Sequence, residues 1–229
     1  MKKSSLLAEI KNIEHGFTNR ETDPKFLEKL EAKITLLKQM HGNAVFWIEQ
    51  SLEAAKEGDG LATKEKNLCI GIRTADCCPI LICALDSKNN AKAVMALHAG
   101  WRGTVAEIAV RGLRSLEENI ALKDHTFAIC LGPTISKNKF EVGEEVALHF
   151  ADNEKTFLHE KEGKKFLVDL QQANIRQIKK FTKEKNISVK IDAISDCTFS
   201  DPTLYPSYRR DAINGGDRRI LSFIGIIDG

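Results

Sequence analysis

Apolar residues recur at helical spacing from Pro24 to Lys38, with Phe26, Leu30, Ile34 and Leu37 on one side of the predicted helix. The pattern then changes period. Ala44 to Glu49 is rich in β-branched and aromatic residues (Val45, Phe46, Trp47, Ile48) and predicts a strand. Gly58-Asp59-Gly60 reads as a loop. Leu68 to Ile72, Pro79 to Leu85 and Ala91 to Leu97 are apolar runs of strand length without polar alternation, which predicts burial on both faces. The polar stretch Asp86 to Asn90 suits a hairpin turn between the last two. Thr104 and Glu107 have the spacing of a capping box and predict a helix with Val105, Ile108, Ala109, Gly112 and Leu116 on its inner face. Phe127 to Leu131 is another buried strand, and Val142 to Phe150 a short helix. Asp169 and Gln172 open a long helix with an apolar stripe of Leu170, Ala173, Ile178 and Phe181. Val189 to Ile194 and Ile220 to Ile227 close the series as strands.

Strands and helices are mixed without a strict βαβ rhythm. The expected architecture is α/β of the α+β type, with mixed β-sheets flanked by helices and layered α/β/β/α. Only five prolines occur, with no repeat and no Pro- or Ser-rich linker, so a single domain over residues 1–229 is expected.

Composition removes several classes of function. The chain has 34 basic and 32 acidic residues, a formal charge of +2, which argues against a nucleic-acid binder with a broad cationic face. The apolar start at Leu6-Leu7-Ala8 is cut by Glu9 and Lys11, too early for a signal segment, and no apolar run is long enough to span a bilayer. Four of the six cysteines (Cys69, Cys77, Cys78 and Cys83) crowd into one apolar stretch, unlike a secreted disulfide framework. A reduced, cytoplasmic setting is expected. The oligomeric state stays open.

Candidate chemistry lies in three segments: Gln39-Met40-His41-Gly42, Thr74-Ala75-Asp76-Cys77-Cys78-Pro79 and His98-Ala99-Gly100-Trp101-Arg102-Gly103. Each puts an imidazole or thiol at the end of a regular element, where rigid supports can hold a site. Two nitrogens and a sulfur suit a catalytic zinc with one open position. On spacing alone, structural histidines and a buried small cysteine are the commoner reading of such residues.

These segments resemble the YfiH family, the laccase-domain proteins also named multicopper polyphenol oxidases. The resemblance extends to His15-Gly16-Phe17-Thr18-Asn19-Arg20, Gly132-Pro133-Thr134-Ile135 with Phe140-Glu141-Val142-Gly143, Val168-Asp169-Leu170, Asp196-Cys197-Thr198 and Ser207-Tyr208-Arg209-Arg210-Asp211. It implies zinc held by His41, Cys77 and His98. Cys77 is preferred to Cys78 because it directly follows Thr-Ala-Asp. It also implies phosphorolysis of the purine nucleosides adenosine, inosine and methylthioadenosine, and deamination of adenosine. Arg20 would help bind phosphate. The chain departs from the family after Arg20, where Glu21-Thr22-Asp23-Pro24 replaces a Gly-rich loop, and in an altered C-terminal loop from Arg210 to Arg218.

Other residues have two readings each. Arg102, Arg209 and Arg210 can fork onto phosphate oxygens or pair with surface carboxylates. Asp76, beside Cys77, is a catalytic proton carrier or ligand-orienting group, or else a turn residue. Asp59 has the same ambiguity. Gln39 bonds substrate or is an exposed amide at a helix end. Tyr208 stacks on a base or fills the core.

Two rival functions remain. Cys77 and His98 could form the thiolate–imidazole pair of a cysteine hydrolase, which leaves His41 unexplained. A copper-dependent polyphenol oxidase would reuse the same ligands, but a laccase needs a further histidine-rich cluster. The six histidines (His15, His41, His98, His125, His149 and His159) contain no His-x-His pair. Copper stays possible at the single site because such ligands bind it more tightly than zinc.

Overall fold

A computed structural model describes residues 1–120, 125–151, 158–161, 165–212 and 218–228. The elements run α1 (Ser5–Ala8), β1 (Ile13–Phe17), α2 (Pro24–Glu31), β2 (Ile34–Thr35), β3 (Val45–Trp47), β4 (Gly60–Thr63), β5 (Cys69–Thr74), β6 (Cys78–Leu85) and β7 (Ala91–Ala99). They continue with α3 (Trp101–Val105), α4 (Ile108–Asn119), β8 (Thr126–Leu131), β9 (Glu141–Gly143), α5 (Glu144–Ala151), β10 (Leu158–Lys161), β11 (Lys165–Val168), α6 (Leu170–Glu184), β12 (Ser188–Ala193), α7 (Tyr208–Asp211) and β13 (Ile220–Ile226).

Two sheets form the centre. One has the order β1-β13-β5-β2 and the other β12-β8-β6-β7-β4-β3, and both mix parallel with antiparallel pairs. Ile70, Ile72, Ile220 and Ile224 from the first sheet pack against Leu81, Cys83, Val94 and Ala96 from the second. The opposite face of the larger sheet, with Ile80, Ile82, Met95 and Leu97, is covered by Leu113 and Leu116 of α4 and Ile178 and Phe181 of α6. The outer face of the smaller sheet, with Leu221 and Phe223, is covered by Leu27 and Leu30 of α2. The layering is therefore α/β/β/α, as the sequence pattern suggests. A third sheet, β10-β11-β9, packs with α5 around Phe140, Val142, Phe150 and Val168.

The expected strands between Leu68 and Leu131 are present within two residues of their expected ends, with the hairpin at Asp86–Asn90. Asp169 caps α6 by accepting from the Gln172 N–H at 2.9 Å.

Four expectations change. The helix from Pro24 ends at Glu31, and β-branched Ile34 and Thr35 instead pair in parallel with Cys69 and Ile70. Gly60 leaves the loop to begin β4, between β3 and β7. Val142 lies in β9, so the short helix starts only at Glu144. The Thr104–Glu107 capping box does not form. Thr104 is buried inside α3, and its hydroxyl accepts from Asn174 Nδ2 at 3.0 Å. Glu107 stands at the start of α4 with φ 54° and makes no side-chain cap. Packing against α6 takes the hydroxyl that local sequence grammar assigns to the cap.

One buried histidine ties the N-terminus to this frame. His15 on β1 accepts the Ser4 N–H through Nε2 at 3.1 Å, while Ser4 Oγ donates to Asp192 Oδ2 at 2.6 Å. Burial, reinforced by the charge of Lys3, lowers the His15 pKa from 6.5 to about 4. Because the folded value lies below the unfolded one, the stability contribution is complete above pH 6.5 and disappears as the pH falls through 4. The loss should reach about 3 kcal/mol. Urea unfolding of the wild type and His15→Gln at pH 7 and pH 4.5 checks this. The variant should show a flatter pH dependence; equal slopes would refute the assignment.

Candidate metal centre

The three candidate ligands come from both central sheets. His41 lies in the turn between β2 and β3, with φ 60°, a left-handed conformation that histidine tolerates better than most side chains. Cys77 lies on the three-residue crossover that leaves β5 in one sheet and enters β6 in the other. His98 is the penultimate residue of β7, opposite Pro79. Their ligand atoms lie within 4.8 Å of one another. The two imidazoles meet edge to face, with centroids 4.7 Å apart. Gly100 makes room for the cluster: a Cβ there would stand 3.0 Å from Cys77 Sγ and 3.4 Å from the His41 ring.

Asp59, fully buried, sits behind the histidines. Its Oδ1 accepts from His98 Nδ1 at 2.7 Å and from the His41 N–H at 2.9 Å. Oδ2 accepts the N–H groups of Met40 at 3.2 Å and Gly42 at 2.7 Å. Burial would raise its pKa, but these hydrogen bonds, led by that from His98, hold it below the usual carboxylate value.

Burial opposes charge on Cys77 and His98 as well. For Cys77, hydrogen bonds from His41 and His98 outweigh burial and bring the thiol down to about 7. For His98, burial is outweighed by hydrogen bonds to Asp59 and Cys77, and the imidazole rises to about 9. Neighbouring Cys78 has no such help: it is fully buried and its thiol is pushed well above the usual value. The chemistry separates the adjacent cysteines into one thiolate-forming and one inert group.

The cluster opens into a cleft of about 760 Å³ lined by Gln39, Arg73, Asp76, Trp101, Arg102, Phe140, Tyr208, Arg209 and Arg219. Arg102 stacks on Trp101 at 4.3 Å. Arg209 donates through Nη1 to the Glu141 carbonyl at 2.8 Å. Tyr208 is 61% exposed, so it does not belong to the core and presents its ring at the cleft. Gln39 lines the cleft, but its amide pairs with the Arg73 backbone in both directions, at 2.7 and 2.8 Å. Asp76, with φ 83°, directs its carboxylate at Thr198 Oγ1 (2.6 Å), Ser207 Oγ (2.9 Å) and the Arg209 N–H (2.7 Å).

Two arginines lie elsewhere. Arg210 is occupied by Asp211 and the carbonyls of Thr198, Phe199 and Tyr205. Arg20 pairs with Asp211 at 3.1 Å and lines a neighbouring pocket of about 380 Å³, which shares Arg73 and Arg219 with the larger cleft. Residues 213–217 of the C-terminal loop and the side chain of His159 lie outside the described residues. Sequence reasoning overlooks Arg73 and Arg219 altogether; each is an ordinary charged residue on or beside a strand. No other group of three ligand-type side chains among the described residues is close enough to hold an ion.

Residues 14–227 match the family described as multi-copper polyphenol oxidoreductase laccase. Over 182 residues the chain is 37% identical to a purine nucleoside phosphorylase of Bacteroides thetaiotaomicron, covering 78% of this chain and 64% of that protein, just under two thirds of its length. It is 35% identical over 170 residues to adenosine deaminase RL5 from an unknown prokaryotic organism, covering 72% and 62% of the two chains. The crystal structure of the Bacillus licheniformis hypothetical protein YfiH superposes with a TM-score of 0.76 at 20% identity, covering 93% of this chain and 92% of the other; at that identity it speaks for the fold.

Proposed function

The chain belongs to the multi-copper polyphenol oxidoreductase laccase family, and from that membership we propose that it is a zinc-dependent purine nucleoside phosphorylase with adenosine deaminase activity. The observation that carries the reading is the His41–Cys77–His98 cluster at a cleft rich in arginine. The names of the relatives supply the substrate class: purine nucleosides, with phosphate as co-substrate.

His41, Cys77 and His98 would hold the ion. Two imidazoles and a thiolate in mutual reach, one imidazole oriented by a carboxylate, fit zinc with an open position. When bound, the ion supplies Lewis acidity toward a ligand in that position. Copper is the alternative ion, on softness of the donors alone. Laccase chemistry itself is less well supported, since His15 is engaged with Ser4, and His125 and His149 lie against Phe127 and Trp101.

The remaining roles fall to the chain's own side chains. Arg102 and Arg209 offer planar forks to phosphate from within the cleft. Arg73 and Arg219 extend that positive lining toward Arg20. Tyr208 offers an aromatic face to a purine. Asp76 acts by position: its carboxylate joins the Cys77 turn to the Ser207–Arg209 segment, so ligand and phosphate-binding side chains move together. With three donors already on it, this carboxylate is better suited to orienting than to proton transfer.

Zinc-loaded protein incubated with adenosine and phosphate should yield adenine with ribose 1-phosphate by phosphorolysis, and inosine with ammonia by deamination, the inosine passing on to hypoxanthine and ribose 1-phosphate by phosphorolysis. No product would refute the proposal. Metal-free protein with full activity that is lost on alkylation of Cys77 would favour the cysteine-hydrolase alternative instead. Arg102→Ala should raise the KM for phosphate by about 10- to 100-fold, the worth of a charge-assisted hydrogen bond, and change the KM for nucleoside much less. Steady-state kinetics with each substrate varied in turn measures the split, and an unchanged phosphate KM removes Arg102 from that role.

A further inference from the structure

We propose that Asp59 is the positioning residue of the metal centre, setting two of its three ligands through one buried carboxylate. The inference rests on the reading of His41, Cys77 and His98 as ligands. Asp59 directly precedes β4, whose pairing with β7 places Gly60 opposite Leu97. The His98 N–H donates to the Asp59 carbonyl at 2.8 Å, and the Asp59 N–H donates to the Ala44 carbonyl at 3.0 Å. The residue is thus fixed by its backbone before its side chain acts.

The side chain is enclosed by donors. Three successive backbone N–H groups, from Met40, His41 and Gly42, converge on it from one turn, and His98 Nδ1 shares Oδ1 with the His41 N–H. An ionised carboxylate can only accept. His98 Nδ1 therefore carries its hydrogen whatever occupies the cluster, and Nε2 is the nitrogen left to exchange its proton for an ion. The same oxygens hold the left-handed turn that aims His41 at the cluster. Cys77 stands apart from this device and is placed by the β5–β6 crossover.

Asparagine has the same shape but one oxygen fewer. If its amide nitrogen takes the Oδ1 position, it faces the His41 N–H and donates to His98 Nδ1, driving the ring hydrogen onto Nε2. If it takes the Oδ2 position, it faces the Met40 and Gly42 N–H groups, donor against donor. Either way ligand geometry suffers while side-chain volume is kept.

The test is zinc affinity, measured by competition with a chromophoric chelator, in the wild type, Asp59→Asn and Asp59→Ala. Both variants should bind zinc 10- to 100-fold more weakly than the wild type. Affinity within twofold of the wild type in folded Asp59→Asn would overturn the inference. Nitrogen-15 spectra of the imidazoles in zinc-loaded wild type provide a second measurement that needs no variant. His98 should show hydrogen on Nδ1 and zinc on Nε2; zinc on Nδ1 would overturn the proposal even if the variants fail to fold. Failure of the wild type to bind zinc at all would overturn the ligand reading beneath it, a result distinct from tight binding that ignores Asp59.

Discussion

Cys77→Ala is expected to lower nucleoside turnover by on the order of 10²- to 10³-fold, the kinetic equivalent of several kcal/mol of lost charge stabilisation. Alanine removes the only sulfur of the cluster and leaves two imidazoles, too few to hold the ion against its exchange into water. Cys78→Ala is the matched control. It lies one residue away, fully buried, with its thiol held neutral and side chain packed toward α4 and α6. It should keep turnover within a few-fold and lose only the small stability of a trimmed side chain, about 1 kcal/mol. Bound zinc and kcat measured together decide the matter. Retention of both in Cys77→Ala would remove the thiol from the site; equal loss in the two variants would point to packing instead.

The largest expected stability effect lies at Phe17, the last residue of β1. Its side chain is fully buried and belongs to the core between the sheets. It reaches the end of β8, where Gly132 leaves space for it: a Cβ on Gly132 would collide with the Phe17 ring. Phe17→Ala should cost about 3–5 kcal/mol, since the surrounding sheets cannot collapse into the cavity. Thermal or denaturant unfolding measures it. A cost below 1 kcal/mol would mean that the space is refilled and that the two sheets are less firmly seated than their packing indicates. Zinc bound to the native state would add a concentration-dependent term to the stability of both proteins, so the comparison belongs in metal-free protein.

Much of this molecule is legible from its sequence because its central strands are apolar throughout and bounded by polar turns. Cys78–Leu85 and Ala91–Ala99 could be placed on that ground. His98 is recognisable as a strand end and the family resemblance separates Cys77 from Cys78, whereas His41 follows no helix: α2 stops at Glu31 and His41 sits in the turn between β2 and β3. What could not be read depends on distant partners. Asp59 is defined by donors 17 to 39 residues away, and nothing adjacent to it announces them. Ile34 and Leu37 fit helical spacing and equally fit a short extended segment; pairing with β5 decides for the latter. Thr104 carries a local capping signal that Asn174, 70 residues on, overrides. The strands around Val142 and Phe166 are three or four residues long, too short to display a period. Tyr208 and Arg209 come to the cleft from the far end of the chain, on a segment anchored by Asp76, by the Glu141 carbonyl and by the carbonyls around Arg210.

The Asp76 contacts have a consequence for how the chain avoids misfolding. On β6, Cys78, Ile80, Ile82 and Ala84 face the helices, while Leu81, Cys83 and Leu85 face the other sheet. Both sets are apolar and similar in bulk. A slip of one residue would exchange the two faces without burying a single charge, so hydrophobic pattern gives this central strand little protection against a shifted alignment. The crossover supplies what the pattern lacks. Only Ala75, Asp76 and Cys77 separate β5 from β6, and the Asp76 carbonyl and carboxylate are bound by Thr134, Ile135, Thr198, Ser207 and Arg209. A slipped strand would drag that residue off all five at once. The same short turn that delivers the thiol thus keeps the count for the strand behind it, and an inserted or deleted residue there would disturb folding before it reached catalysis.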